Sequence, residues 1–211
     1  MLPTVLSWLI VYIVPLFFWM AWRRRFSARV FPLIAGMGAY ILISLLRGVA
    51  RIVVLNDDLK ETPWLYIFTT AFLTGIFEET GRYIVFRFAI REYDRQSDCI
   101  SYGIGHGAVE IILTQSLVEN TLLDDFFVLY DLVSLAAFSA ALSVLVFASV
   151  HYTENKNGLF AAIALHTAVD FTYVLDHYGI VSFGVVVLIQ LAMTIGMCYL
   201  AYRILRHYKD Y

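Results

Sequence analysis

Three short stretches of this 211-residue chain place acids, imidazoles and a guanidinium at the spacing of one helix face. The first reads Gly75-Ile76-Phe77-Glu78-Glu79-Thr80-Gly81-Arg82. Glu78 and Glu79 precede Arg82 by four and three residues, so on a helix either carboxylate can meet the guanidinium. Adjacent helical residues point about 100° apart, which divides the labour. One glutamate is held by Arg82 and the other faces a cavity. The second stretch, Gly103-Ile104-Gly105-His106-Gly107-Ala108-Val109-Glu110, puts His106 and Glu110 four apart. The third, Leu165-His166-Thr167-Ala168-Val169-Asp170, repeats that pairing with His166 and Asp170. A histidine and a carboxylate at this spacing either share a metal ion or let the acid orient the imidazole. Taken singly, each pair is equally well read as a satisfied polar pair in a core. The alternate glycines at 103, 105 and 107 form no phosphate loop, because no strand precedes them. They suit close helix approach, or backbone access to a bound chain.

The elements that must carry these residues are membrane helices. The chain is 61% hydrophobic and 15% charged, with mean hydropathy +0.75, whereas soluble domains are about half apolar and a quarter charged. The surplus apolar side chains require lipid as solvent. Seven apolar segments are expected, over residues 3–22, 29–50, 64–90, 100–118, 126–150, 158–176 and 180–203. Short connections make the fold an all-α, polytopic membrane helix bundle, a single domain over 1–211 with a motif-bearing core at 64–176. No Pro/Gly/Ser-rich linker, low-complexity tract or internal repeat divides it. The N-terminal stretch lacks a positive leader and a small-residue cleavage site, and its charges follow its apolar run, as in a first membrane helix rather than a signal peptide.

Lysine and arginine set the expected orientation. The first loop carries Arg23, Arg24, Arg25 and Arg29; the third Arg91 and Arg95 with Arg87 just before; the fifth Lys156; the tail Arg203, Arg206 and Lys209. The second mixes Arg51 and Lys60 with Asp57, Asp58 and Glu61, the fourth is acidic (Glu119, Asp124, Asp125), and the sixth carries Asp176. This pattern predicts the N-terminus outside, the C-terminus in the cytoplasm and a multi-pass cell-membrane protein. A net charge of −2 says little about partners, but the basic run at 23–25 is too short for a nucleic-acid tract. Cys99 is expected in a polar loop and Cys198 inside an apolar segment, forming neither a disulfide nor a metal site. Arg47 and Arg51 read as interface anchors, and Asp131 as a snorkelling residue near the outer end of its segment. His151, His177 and His207 fall near loops or termini.

A charge at mid-bilayer costs about 2.5–3.5 kcal/mol on insertion scales, so the three motifs must face inward and find partners. In the expected topology His106 lies roughly 9 Å, His166 roughly 12 Å and Glu79 roughly 18 Å from the cytoplasmic ends of their helices, at about 1.5 Å per residue. Residues that agree in depth from three helices point to one shared site. Such a group can activate water: a sheltered glutamate takes its proton and a histidine supports the transfer or stabilises an oxyanion. The same groups can hold a divalent metal such as zinc with one open position. Either route is hydrolysis within the membrane, and the fitting substrate is a peptide bond of a membrane protein or membrane-associated peptide.

Glu78-Glu79-x-x-Arg82, Gly-His106-Gly-x-x-Glu110 and His166-x-x-x-Asp170 together resemble the three motifs of the YhfC-type intramembrane proteases, relatives of the PrsW proteases and of the CAAX prenyl protease and bacteriocin-processing group. The resemblance covers a little over half the chain. It implies a proteolytic helix bundle in which Glu78 is the base on water, helped by His106. His166 and Asp170 lie at the oxyanion or metal side, and Glu79 and Arg82 organise the site. A metal, where present, would draw on His106, Glu110, His166 and Asp170. CAAX proteases place their arginine one residue further on and commonly carry Asn where this chain has Asp170, so their substrate class does not transfer. Two other classes stay open. One is a non-catalytic scaffold of the same superfamily, exemplified by the seven-helix scaffold subunit of gamma-secretase. The other is a proton-coupled transporter, disfavoured by the odd helix count and the lack of repeat halves.

Overall fold

A computed structural model describes residues 2–115, 122–153 and 155–208. Seven long α-helices dominate: α1 (Leu2–Phe26), α2 (Val30–Val54), α4 (Pro63–Ile84), α5 (Gln96–Gln115), α6 (Leu122–His151), α7 (Asn157–His177) and α8 (Phe183–His207). A short α3 (Asp57–Lys60) precedes α4, and a π-helical turn (Val85–Ala89) follows it. There is no strand among the described residues. The seven long helices match the seven expected segments. Glu119 and Lys209, used above for orientation, lie outside the described residues.

Burial is inverted relative to a water-soluble protein. Large apolar side chains point outward, among them Ile52 (82% exposed) and Phe88 (75%), while Glu78, Glu79, Arg82 and His106 are fully enclosed. Among the described residues, four helical stretches are long and apolar enough to cross a membrane: Val30–Val54, Leu129–His151, Asn157–His177 and Phe183–His207. The ionisable site residues Glu78, Glu79, Arg82, His106 and Glu110 ride on the less apolar α4 and α5.

Local signals explain the helix ends. Pro63 opens α4 at its first turn, where a missing N–H costs nothing. Asn56 accepts from Leu59 N at 3.0 Å and caps α3. α7 ends where Gly179 takes φ +67°, with Gly179 N bonded to Asp176 O at 2.7 Å and Ile180 N to Leu175 O at 2.9 Å. Those two bonds form a Schellman close that calls for glycine.

α5 packs extensively on α6 and α2, and α4 on α7. The alternate glycines of α5 serve the close approach. A methyl at Gly107 would lie 3.1 Å from Ala136 Cα of α6. One at Gly105 would collide with the Leu33 backbone of α2. Gly36 of α2 repays that contact, since a side chain there would strike the Tyr102 backbone of α5. Two faces of α5 are thus pressed against two neighbours, and this fixes His106 between them.

At one end of the bundle Arg29, in the α1–α2 connection, donates through Nε to Asp98 Oδ2 at 2.9 Å and lies 4.4 Å over the Tyr93 ring. The Asp98 hydrogen bond and charge raise the Arg29 guanidinium above its ordinary value. Trp22 Nε1 donates to Ser97 O at 3.2 Å, so α1 and the start of α5 are tied at the same place. Cys99 departs from the loop position expected for it. α5 begins at Gln96, which carries Cys99 into the helix, fully buried. Both cysteines are free thiols.

Candidate active site

Glu78 and Glu79 leave α4 in different directions, and each finds its own arginine. Glu79 Oε2 accepts from Arg82 Nη1 at 3.1 Å, with both side chains wholly enclosed. Arg82 is pinned in turn by Ser139 of α6, donating through Nη2 to Oγ at 3.2 Å and through Nη1 to the backbone O at 3.4 Å. Glu78 Oε1 is paired with Arg47 Nη1 of α2. This corrects the reading of Arg47 as an interface anchor. α2 continues to Val54, which sets Arg47 well inside the helix and turns it to the core. Arg51 is corrected likewise: its Nη2 donates to Thr74 Oγ1 of α4 at 2.8 Å, and it lines the same cavity as the site residues.

The free oxygen of Glu78 collects the imidazoles. His106 Nε2 of α5 lies 3.2 Å from Glu78 Oε2, and His166 Nε2 of α7 lies 3.8 Å from the same atom. His166 Nδ1 is bonded to Glu79 Oε1 at 2.7 Å. A neutral imidazole held this way carries its proton on Nδ1 and turns the Nε2 lone pair toward Glu78. His166 Nε2 is also 3.9 Å from Asp170 Oδ1, one turn along α7. Edge-on aromatic rings close the site: Tyr40 at 5.0 Å from His106 and Phe138 at 6.2 Å from His166. A cavity of 340 Å³ reaches the group and is lined by Arg47, Arg51, Thr74, Glu110, His166 and Asp170.

All seven residues singled out in the three motifs therefore face one region between α4, α5 and α7. Arg47, Arg51 and Tyr40 were missed, and only the four-residue spacing of the two arginines hinted at a shared face. Asp131, read as snorkelling, instead lines the cavity.

The donor set suits a divalent metal. Glu78, His106 and Glu110 each offer a ligand atom, and these lie within 4.8 Å of one another. The His106 nitrogen nearest the Glu78 oxygens is Nε2, 3.2 Å from Oε2, and Nδ1 is buried without a hydrogen-bond partner among the described residues. Mixed imidazole and carboxylate ligation leaving an open position is the composition of catalytic rather than structural sites.

Apolar helices enclosing a charged, metal-compatible centre define a class, the multi-pass membrane proteins with a buried polar site. The family model for YhfC intramembrane metalloproteases matches residues 10–124, more than half of the chain. The chain therefore belongs to the YhfC intramembrane metalloprotease family, as its motifs led us to expect, and is a multi-pass membrane protein. The match takes in Glu78, Glu79, Arg82, His106 and Glu110 and stops short of His166 and Asp170. A Bacillus subtilis (strain 168) protein, the uncharacterized membrane protein YhfC, is 31% identical over 125 residues, covering 56% of this chain and 48% of that protein. The aligned part thus spans about half the length of this relative. No solved structure matches the chain.

Proposed function

We propose that this protein is an intramembrane endopeptidase that hydrolyses peptide bonds of membrane proteins or membrane-associated peptides. The observation that carries the reading is the burial of Glu78, His106 and Glu110 within reach of one another, beside His166, with Glu110 and His166 lining a cavity. Arg47 occupies Glu78 Oε1, so Oε2, between two imidazole nitrogens, is the oxygen able to take the proton of an attacking water. His106 steadies that oxygen. Glu79, locked by Arg82, orients His166 so that its Nε2 can take that proton from Glu78 and pass it to the departing amine. Arg51 is placed to hold a substrate carbonyl against the cavity wall.

A divalent metal fits the same residues, with Glu78, His106 and Glu110 as its holders. When bound it supplies Lewis-acid polarisation and a more acidic water. In that state the Glu78 carboxylate is engaged as a ligand, and His166 with Asp170 is the remaining proton-handling pair.

The test compares wild type with Glu78→Gln and His106→Ala on membrane peptides in detergent or liposomes, with elemental analysis of each protein. Glu78→Gln should lower turnover by about 10²–10⁴-fold, the usual worth of a positioned acid–base group. Retained metal in the inactive Glu78→Gln variant assigns Glu78 as base; lost metal assigns it as ligand. Cleavage that survives both substitutions rejects the mechanism. Proton-coupled flux abolished by them would favour a transporter. Copurification with a partner, without hydrolysis, would favour a scaffold. We also propose the orientation given by the basic loops, N-terminus outside and C-terminus cytoplasmic.

A further inference from the structure

The cavity has a second polar end that the proposed hydrolysis does not use. Asp131 of α6 and Gln190 of α8 both line it. Gln190 is 3% exposed, and its Oε1 has no hydrogen-bond partner. Asp131 has no hydrogen bond and no ion pair among the described residues. Two bonds between α6 and α8 bracket the pair and set its register: Tyr130 Oη to Val187 O at 2.9 Å and Ser134 Oγ to Thr194 Oγ1 at 3.1 Å. These neighbours spend their own polar groups on each other and leave Asp131 and Gln190 without a partner in the cavity wall. A buried amide oxygen is ordinarily satisfied, so the unmet one of Gln190, beside a half-buried, unpaired carboxylate on the same wall, calls for a donor from outside the chain.

We propose that Asp131 and Gln190 form a recognition subsite for a cationic, multiply donating group of the substrate, an ammonium or guanidinium. The proposal rests on the endopeptidase reading for what the occupant is attached to. The register also gives a distance. Asp131 stands seven residues before Phe138, whose ring packs edge-on against His166. That is about 10.5 Å along α6 at 1.5 Å per residue. An extended chain covers this in three to four residues at about 3.3 Å each. The favoured substrate therefore carries a lysine or arginine, or its own α-ammonium, about three to four residues from the bond cut. Asp131 supplies the charge and Gln190 a second acceptor.

The probes are short apolar peptides with blocked ends and one Lys, Arg, Gln or Glu, plus an all-apolar peptide with a free N-terminus. Binding is followed by fluorescence anisotropy with purified full-length protein in a neutral detergent. Lys and Arg peptides should bind at least roughly tenfold tighter than the Gln peptide, the low end of what a hydrogen bond to a charged group contributes. Asp131→Asn should erase that preference and Gln190→Leu should weaken it. A tight free-amine peptide with weak Lys and Arg peptides assigns the subsite to a substrate N-terminus; the reverse assigns it to a side chain. Equal binding of Lys and Gln peptides, no binding of the Lys peptide, or a preference that survives Asp131→Asn overturns the proposal. Glu78→Gln protein should keep the preference while losing hydrolysis, so failure of the endopeptidase reading and failure of the subsite are separate results.

Discussion

His166, Glu79, Arg82 and Ser139 form a buried linear chain of hydrogen bonds. Removing one member of such a buried pair strands a charge, which costs about 3–5 kcal/mol. Arg82→Ala should therefore lower the midpoint of unfolding in detergent sharply. Glu79→Leu with Arg82→Met, which removes both charges, should recover much of the loss and still abolish activity by freeing His166. Recovery of activity in that double variant would refute the orienting role. The Glu79–Arg82 pair was legible in the sequence because both partners sit on one helix at a fixed spacing. Arg47 was not: its partner lies 31 positions away on another helix, and no local pattern announces a contact between helices. For the same reason no sequence pattern signals that Glu78 is met by an arginine outside the motif.

At the scale of elements, the site depends on how closely α2 and α5 approach. Gly36 and Gly38 lie on the same helix, yet a side chain at Gly36 would strike the Tyr102 backbone whereas one at Gly38 would meet nothing within 4 Å. Gly36→Leu should push α5 outward, displace His106 from Glu78, and cost about 1–3 kcal/mol as an overpacked contact. Gly38→Leu should be nearly silent in both activity and unfolding. Equal effects would mean that the approach does not position His106. Helix number and the rough limits of each helix followed from apolar run length, a strong signal in lipid. The π-helical turn at Val85–Ala89 did not, because the third apolar run continues through it without a break in composition. Cys99 was misplaced because α5 starts before its apolar stretch does.

At the scale of the whole molecule, basic residues gather at alternate connections, and the expected orientation is testable by tag accessibility in intact cells. An N-terminal tag should be open to externally added protease and a C-terminal tag protected; the opposite pattern inverts the proposed topology. The outward apolar surface and enclosed charges also raise a question of assembly order. α4 brings three charges into the bilayer, and on its own would be a poor candidate for insertion. Arg47, its partner for Glu78, lies on α2, which leaves the ribosome earlier. His106 and His166 emerge later. The nascent chain thus holds a cation ready before the first glutamate arrives. Biogenesis, and not only the finished site, constrains position 47. Arg47→Ala should reduce the fraction of α4 that integrates, read by glycosylation mapping of chains truncated after α4, whereas His166→Ala cannot alter that early step.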